Sequence, residues 1–272
     1  AGQVNPFGLT FDEWGNLFSA DCHSKPCTML IRGAVYQSFG KPHDGLGFGP
    51  DMTNHNHGSS GIGGIAYYDA EHFPTAYRKC LYLGNVVTGV VHRDVIQWRG
   101  STPWVEKPET FITCDDPWFR PVDIQLGPDG ALYIADFYNC IIGHYEVDLK
   151  HPRRDRERGR IWRVVYTGGL ADGPKVPGPE ADDAAMVVAR ELRAIAETSA
   201  THARAQLPGV RTILGHDCPM IRRIAAYALG RFADEALGIS DRIAGIGRED
   251  SFDKRAGGRT DEADHRVDGA GA

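Results

Sequence analysis

Two stretches of this chain repeat one pattern 115 residues apart. Asn5 to Asp21 reads NPFGLTFDEWGNLFSAD, and Arg120 to Asp136 reads RPVDIQLGPDGALYIAD. Aligned, Pro6 meets Pro121, Gly15 meets Gly130, Leu17 meets Leu132, Ala20 meets Ala135 and Asp21 meets Asp136. Val122, Ile124 and Leu126 alternate with polar residues, which is the period of a half-buried strand. Pro128-Asp129-Gly130 is a turn, because Pro presets φ and Gly accepts a positive one. Leu132 and Ile134 then resume the alternation. A hairpin that recurs at long spacing and ends on a polar residue is the signature of propeller blades.

Taken in order, the chain predicts three blades within residues 1–166. The first hairpin is followed by a strand over Thr28–Ile31 and an edge piece over Gly33–Ser38. Residues 40–64 form a long Gly-rich segment with His43, Asp44, Asp51, His55 and His57. Such segments inside compact domains are uncommon and usually functional. A second blade begins near Ile65, with strands at Cys80–Gly84, Val86–His92 and Val95–Trp98 around a turn at Arg93-Asp94. Asn85 stands where Asp21 and Asp136 stand in the other blades. The third blade adds strands at Ile141–Val147 and Ile161–Tyr166. Between them Lys150–Arg160 is rich in arginine, but Asp155 and Glu157 partly neutralise it, which favours a solvated loop.

After Tyr166 the texture changes. Residues 167–183 are Gly- and Pro-rich and read as a linker. Ala184–Thr198, Val210–Leu214 and Met220–Phe232 have helical period, with an Ala-dense face that suits a short HEAT-like solenoid over 184–240. Residues 241–272 are polar and aperiodic, and are expected to be disordered. The fold class is therefore mainly β plus α: a partial β-propeller followed by HEAT-like helices.

A net charge of −6 gives no sign of nucleic-acid binding, and no apolar run reaches membrane-spanning length. The six cysteines form no C-x-x-C-H, so covalent haem is not expected in this chain. Cys22 and Cys27 are close enough to bridge; free, half-buried thiols are the other reading. The chain opens at Ala1, without Met or a signal peptide, and is read as an internal fragment or processed product.

The runs NPFGLTFDEWGNLFSADCHSKP, SFGKPHDGLGFGPDM, HNHGSSGIGGIAYY, DDPWFRPVDIQLGPDGALYIADFYN and RGRIWRVVY resemble the bacterial membrane-bound dehydrogenase family. The likeness covers residues 5–166 strongly and 184–240 more weakly. In that family a propeller similar to the quinoprotein sugar dehydrogenases precedes HEAT repeats and a cytochrome c-like haem domain. The resemblance implies a periplasmic or cell-envelope oxidoreductase acting on a sugar or other alcohol. It implies pyrroloquinoline quinone as cofactor, and a haem c domain or cytochrome outside this chain as electron acceptor. The rival reading is a non-catalytic propeller and helix module that binds a glycan or a protein.

Several residues are candidates for the chemistry. Asp21, Asn85 and Asp136 end their hairpins where a propeller channel lies, and either hold a Ca²⁺ or cap their own turns. His23, two residues after Asp21, and His57 are the candidate bases for the hydroxyl proton. His55 and Asp51 are candidate substrate contacts, and the H-x-H of His55 and His57 with Asp51 is also a sparse metal pattern. By family position, Lys25 and Arg120 would hold the quinone carboxylates, with an Asp115/Asp116–Arg120 ion pair as the alternative. Trp118 is a stacking surface for a sugar, or core.

Overall fold

A computed structural model describes residues 5–22, 25–32, 34–37, 49, 51–53, 55–58, 61–107, 110–143, 146–168 and 183–232. His23, His43, Asp44, most of the 167–183 linker and the 241–272 tail lie outside the described residues.

The repeated hairpins form as expected and agree down to register. Strands β1 (Pro6–Phe11) and β2 (Leu17–Asp21) pair antiparallel, with Pro6 opposite Asp21. Strands β9 (Pro121–Leu126) and β10 (Leu132–Asp136) pair the same way, with Pro121 opposite Asp136. Both turns place their glycine at positive φ, +70° for Gly15 and +77° for Gly130, where other residues are strained. β3 (Cys27–Leu30) completes the first sheet and β11 (Arg160–Val164) the third.

The middle sheet is the largest. It runs β4 (Ile62–Tyr68), β5 (Cys80–Asn85), β6 (Val90–Arg99) and β7 (Thr102–Glu106), with β8 (Ile112–Thr113) also on β6. β4 and β5 are buried along their whole length because both faces of this sheet are covered. One face packs Ile65, Leu81 and Leu83 against Phe18 and Met29 of the first sheet. The other packs Tyr68, Tyr82 and Val91 against Ile124 and Ile134 of the third. Each such side chain contributes about 2 kcal/mol on leaving water.

Two adjacent tyrosines on β4 tie the sheets together. Tyr67 donates to the Glu13 carboxylate in the first hairpin turn, and Tyr68 donates to the Gly130 carbonyl in the third at 2.7 Å. Side chains one residue apart on a strand point to opposite faces, so one dipeptide reaches both neighbours. At the seam with β9, a Cβ on Gly84 would lie 2.3 Å from the Pro121 carbonyl oxygen, so only glycine fits. Beyond the middle sheet, Phe7, Leu9 and Phe11 on β1 and Ile161 on β11 are exposed.

Two strand expectations need correction. Arg93-Asp94 is no turn: β6 runs unbroken through it, and the chain turns earlier, before Val90, with Gly89 at φ +65°. The described part of Ile141–Val147 is not a strand, and β11 pairs directly with β10 instead.

Among the described residues four α-helices follow: α1 (Ala184–Glu197), α2 (Ala200–Arg204), α3 (Leu207–Thr212) and α4 (Pro219–Arg231). The Asp183 carboxylate caps α1 by accepting from Ala185 N–H, and Pro219 opens α4 where a missing N–H costs nothing. Leu192 and Ala196 pack on Ile221, Ala225 and Ala228, and Trp14 from the first hairpin turn joins that cluster. The β part and the helices thus form a partial, propeller-like array of three sheets with a small α layer docked on the first. All six cysteines are free, so Cys22 and Cys27 follow the thiol alternative.

Candidate functional site

The seam between the first and middle sheets holds a polar cluster inside an apolar core. On β6, His92, Asp94, Ile96 and Trp98 alternate onto the face toward the first sheet, because a strand repeats every two residues. Ile96 and Trp98 pack there, while His92 and Asp94 meet the segment His55-Asn56-His57. That segment has no regular structure of its own and is pinned by others. Asn85 Nδ2 donates to the His57 carbonyl at 3.1 Å, Lys107 Nζ to the Asn56 carbonyl at 3.2 Å, and Gly58 N–H to Asn56 Oδ1 at 3.0 Å.

At the centre, His57 Nε2 lies 3.0 Å from Asp94 Oδ1 and 3.1 Å from Oδ2. One N–H serves one oxygen, and Oδ1 is left without a well-directed hydrogen bond. His55 Nε2 lies 3.4 Å from Asp94 Oδ2. The Cys27 thiol, on β3, reaches the same oxygen at 3.8 Å. His92 stacks flat on His57, with ring centres 3.9 Å apart and planes 14° from parallel. The side chains of His57 and Asp94 are 0% exposed and that of His55 is 15%, so the cluster opens to solvent on the His55 side.

Burial raises the Asp94 carboxyl, but hydrogen bonds from His55 and His57 outweigh it and hold the group below its ordinary value. Burial, reinforced by His57, pulls His92 down to about 4. Burial and the nearby Asp94 push the Cys27 thiol well up, so it stays protonated and donates. Among the described residues, Asp94 has no Lys or Arg ion partner; its only ionic contacts are the two imidazoles. His55, His57 and Asp94 are also the one group of three acidic, His or Cys ligands that converges among the described residues.

The other sequence candidates stand elsewhere. Asp136 Oδ1 accepts from the Arg120 and Tyr138 N–H groups and Oδ2 from the Trp162 indole. Asn85 Oδ1 accepts from the Val87 and Thr88 N–H groups. Both therefore cap their own turns, the second of the two roles weighed for them. Asp21 is buried at the matching end of β2. Asp51 is not beside the H-x-H histidines: its carboxylate lies 3.7 Å from Lys25 Nζ. Arg120 donates to the Phe119 carbonyl at 2.9 Å, and its Nε is buried without a partner. The alternative pair of Arg120 with Asp116 does not form; Asp116 binds Arg160 at 2.8 Å. Trp118 packs with Tyr138 and Arg158, all in segments flanking the strands of the third sheet.

Sequence reading missed Asp94, His92 and Cys27. The signal was present: HRD inside VVHRDVIQWR keeps strand alternation, with His92 and Asp94 in phase with Ile96 and Trp98.

Several solved structures are similar in shape. One is an oxidoreductase described as a glucose dehydrogenase, from Thermus thermophilus, at 21% identity over 60% of this chain and 45% of that one, with TM-score 0.43. Two more are described as glucose dehydrogenases: one at 20% identity, 61% and 42% coverage and TM-score 0.40, the other at 21%, 61%, 46% and 0.41. The chain spans less than half the length of each. No curated protein matches it. Among the described residues no helix is long and apolar enough to cross a membrane. A family model matches residues 1–168, and the chain belongs to that family, described as a domain of unknown function, DUF7133.

Proposed function

We propose that this chain is part of an oxidoreductase that oxidises a sugar or another alcohol, with the cluster at His55, His57 and Asp94 as its chemical centre. The observation that carries this is a carboxylate wholly withdrawn from water whose ionic partners are two imidazoles, one of them open to solvent. Oxidising an alcohol removes a hydride and a proton. The proton needs an acceptor, and an imidazole backed by a carboxylate can take it. A substrate hydroxyl would approach on the His55 side, because His57 is fully covered.

The family resemblance adds a quinone as hydride acceptor, a haem c domain or cytochrome as the onward acceptor, and a periplasmic or cell-envelope setting. Lys25, which now contacts Asp51, and Arg120, whose Nε has no partner among the described residues, would hold the quinone's carboxylates.

The test follows dye reduction by the chain, supplied with pyrroloquinoline quinone, across a panel of sugars and simple alcohols. Turnover is expected, and His55→Ala should lower kcat by roughly 100-fold or more, the scale of a lost acid–base group. Glycan binding without turnover on any substrate would instead establish the binding-module reading.

A further inference from the structure

We infer that His55, His57 and Asp94 bind a divalent transition-metal ion of the zinc class, with a fourth position open on the His55 side. The inference deepens the proposed function for its chemistry, but the binding itself stands on geometry alone.

Zinc bonds to imidazole nitrogen and carboxylate oxygen are about 2.0–2.2 Å long, which sets the ligand-to-ligand edge of a tetrahedron at about 3.3 Å. To a single oxygen, Asp94 Oδ2, the observed separations are 3.1 Å from His57 Nε2 and 3.4 Å from His55 Nε2, and one ligand atom from each of the three residues lies within 4.8 Å of the others. The donors therefore already stand near metal-ligand spacing.

Charge points the same way. A buried carboxylate without a Lys or Arg partner is costly. A divalent ion on two neutral imidazoles and one carboxylate would more than offset that charge, leaving a net positive site that an anionic oxygen in the open position would balance. Ligation through Nε2 would place the His57 proton on Nδ1, a buried atom with no hydrogen-bond partner among the described residues.

Outer contacts hold the donors in place, as metal sites require. The Cys27 thiol donates to Asp94 Oδ2, His92 stacks on His57, and Asn85 and Lys107 fix the backbone between the two histidines. The donor set selects the ion. Two nitrogens and one oxygen suit zinc or a neighbouring first-row metal, whereas calcium wants six to eight oxygens. Three protein ligands with an open position is the pattern of reactive rather than structural zinc. On the proposed function, that position would take the substrate hydroxyl and lower its pKa; with both Nε2 atoms on the metal, the ion replaces the imidazoles as the group that frees the proton, which leaves to water on the His55 side.

The experiment titrates the chelator-treated chain with Co²⁺, follows its visible absorption, and competes the ion off with Zn²⁺. One ion per chain and a four- or five-coordinate cobalt spectrum are expected. His55→Ala, at the partly exposed ligand, should fold normally by circular dichroism and weaken binding by at least the roughly 100-fold that outer partners alone can reach. Asp94→Asn should do the same if it folds. Absence of stoichiometric binding, or equal affinity in His55→Ala, would overturn the inference. Stoichiometric metal without dye reduction would keep the site and remove the proposed function. Turnover by a chain that takes up no stoichiometric metal would do the reverse.

Discussion

His57 Nε2 and Asp94 Oδ1 lie 3.0 Å apart, and neither side chain is reached by water. Such a pair constrains the fold as much as any chemistry, because removing one member strands the other. Asp94→Asn keeps the shape and removes the charge that His55 and His57 face. We expect a loss of about 3 kcal/mol, the usual scale for breaking a buried pair. The urea midpoint at pH 7 reads it. A loss below about 0.5 kcal/mol would show that Asp94 is not ionised in the folded chain.

The seam between the middle and third sheets depends on absent side chains. A Cβ at Gly84 would come within 2.3 Å of a backbone oxygen, which cannot swing aside. Gly84→Ala should force the sheets apart and cost about 3 kcal/mol, at the upper end for overpacking. Gly230, near the end of α4, meets nothing within 4 Å, and there the same change should stabilise by roughly 0.5–1 kcal/mol through helix propensity. Thermal melts of the two variants should move in opposite directions; a shared direction would contradict the packing described.

The hairpins were legible because their information is local. Turn glycines, alternation and a terminal carboxylate all fall within 17 residues, and the Pro6–Asp21 and Pro121–Asp136 pairings followed. The cluster was only half legible. His55 and His57 stand out as H-x-H, but the carboxylate near them in sequence is Asp51. The true partner lies 37 residues from His57, on a strand whose polar residues were read as a turn. Arg-Asp is polar enough to suggest a turn, yet Gly89 had already supplied one. Nothing local marks a buried charge, since what permits it is the covering of the middle sheet on both faces. The turn-capping of Asn85 and Asp136 was foreseeable in kind, because short polar side chains at strand ends bond nearby N–H groups.

Asp12 gives a pH dependence of defined sign. Burial raises its carboxyl from 3.8 to about 6, against hydrogen bonds from Asn16 N–H and Nδ2 at 2.7 and 2.8 Å. Glu13 raises it further and Arg223 lowers it. The folded state thus holds this proton more tightly than the unfolded state. Its stabilising contribution is complete below pH 3.8 and is lost as pH rises through about 6. Asp12→Asn cannot ionise, so the stability gap between wild type and variant should narrow as pH rises from 4.5 to 6.5. Urea midpoints at three pH values measure it, and other titrating groups cancel in the comparison. A gap that stays constant over this range would show that Asp12 is ionised throughout.

The helices are tied to the first sheet by one guanidinium in particular. Arg193 on α1 donates from Nη2 to the Trp14 carbonyl at 2.7 Å and to Asn16 Oδ1 at 3.3 Å, with Nε also on Trp14 at 3.1 Å. Arg223 on α4 reaches the same Asn16 oxygen, and Trp14 itself packs among the helix residues. Burial lowers the pKa of both guanidiniums, the cost of holding charge at this junction. Arg193→Met keeps the stem packing and removes the donors, leaving a backbone carbonyl unpaired. A loss of about 2 kcal/mol is expected, typical of a hydrogen bond from a charged group. Its distribution matters more than its size. Hydrogen exchange should quicken most in α1 and α4, and little in β4 and β5, which lie in the seams between sheets. Uniform loss of protection across strands and helices would mean that the α layer and the sheets unfold as one unit, and that the junction is not where the fold divides.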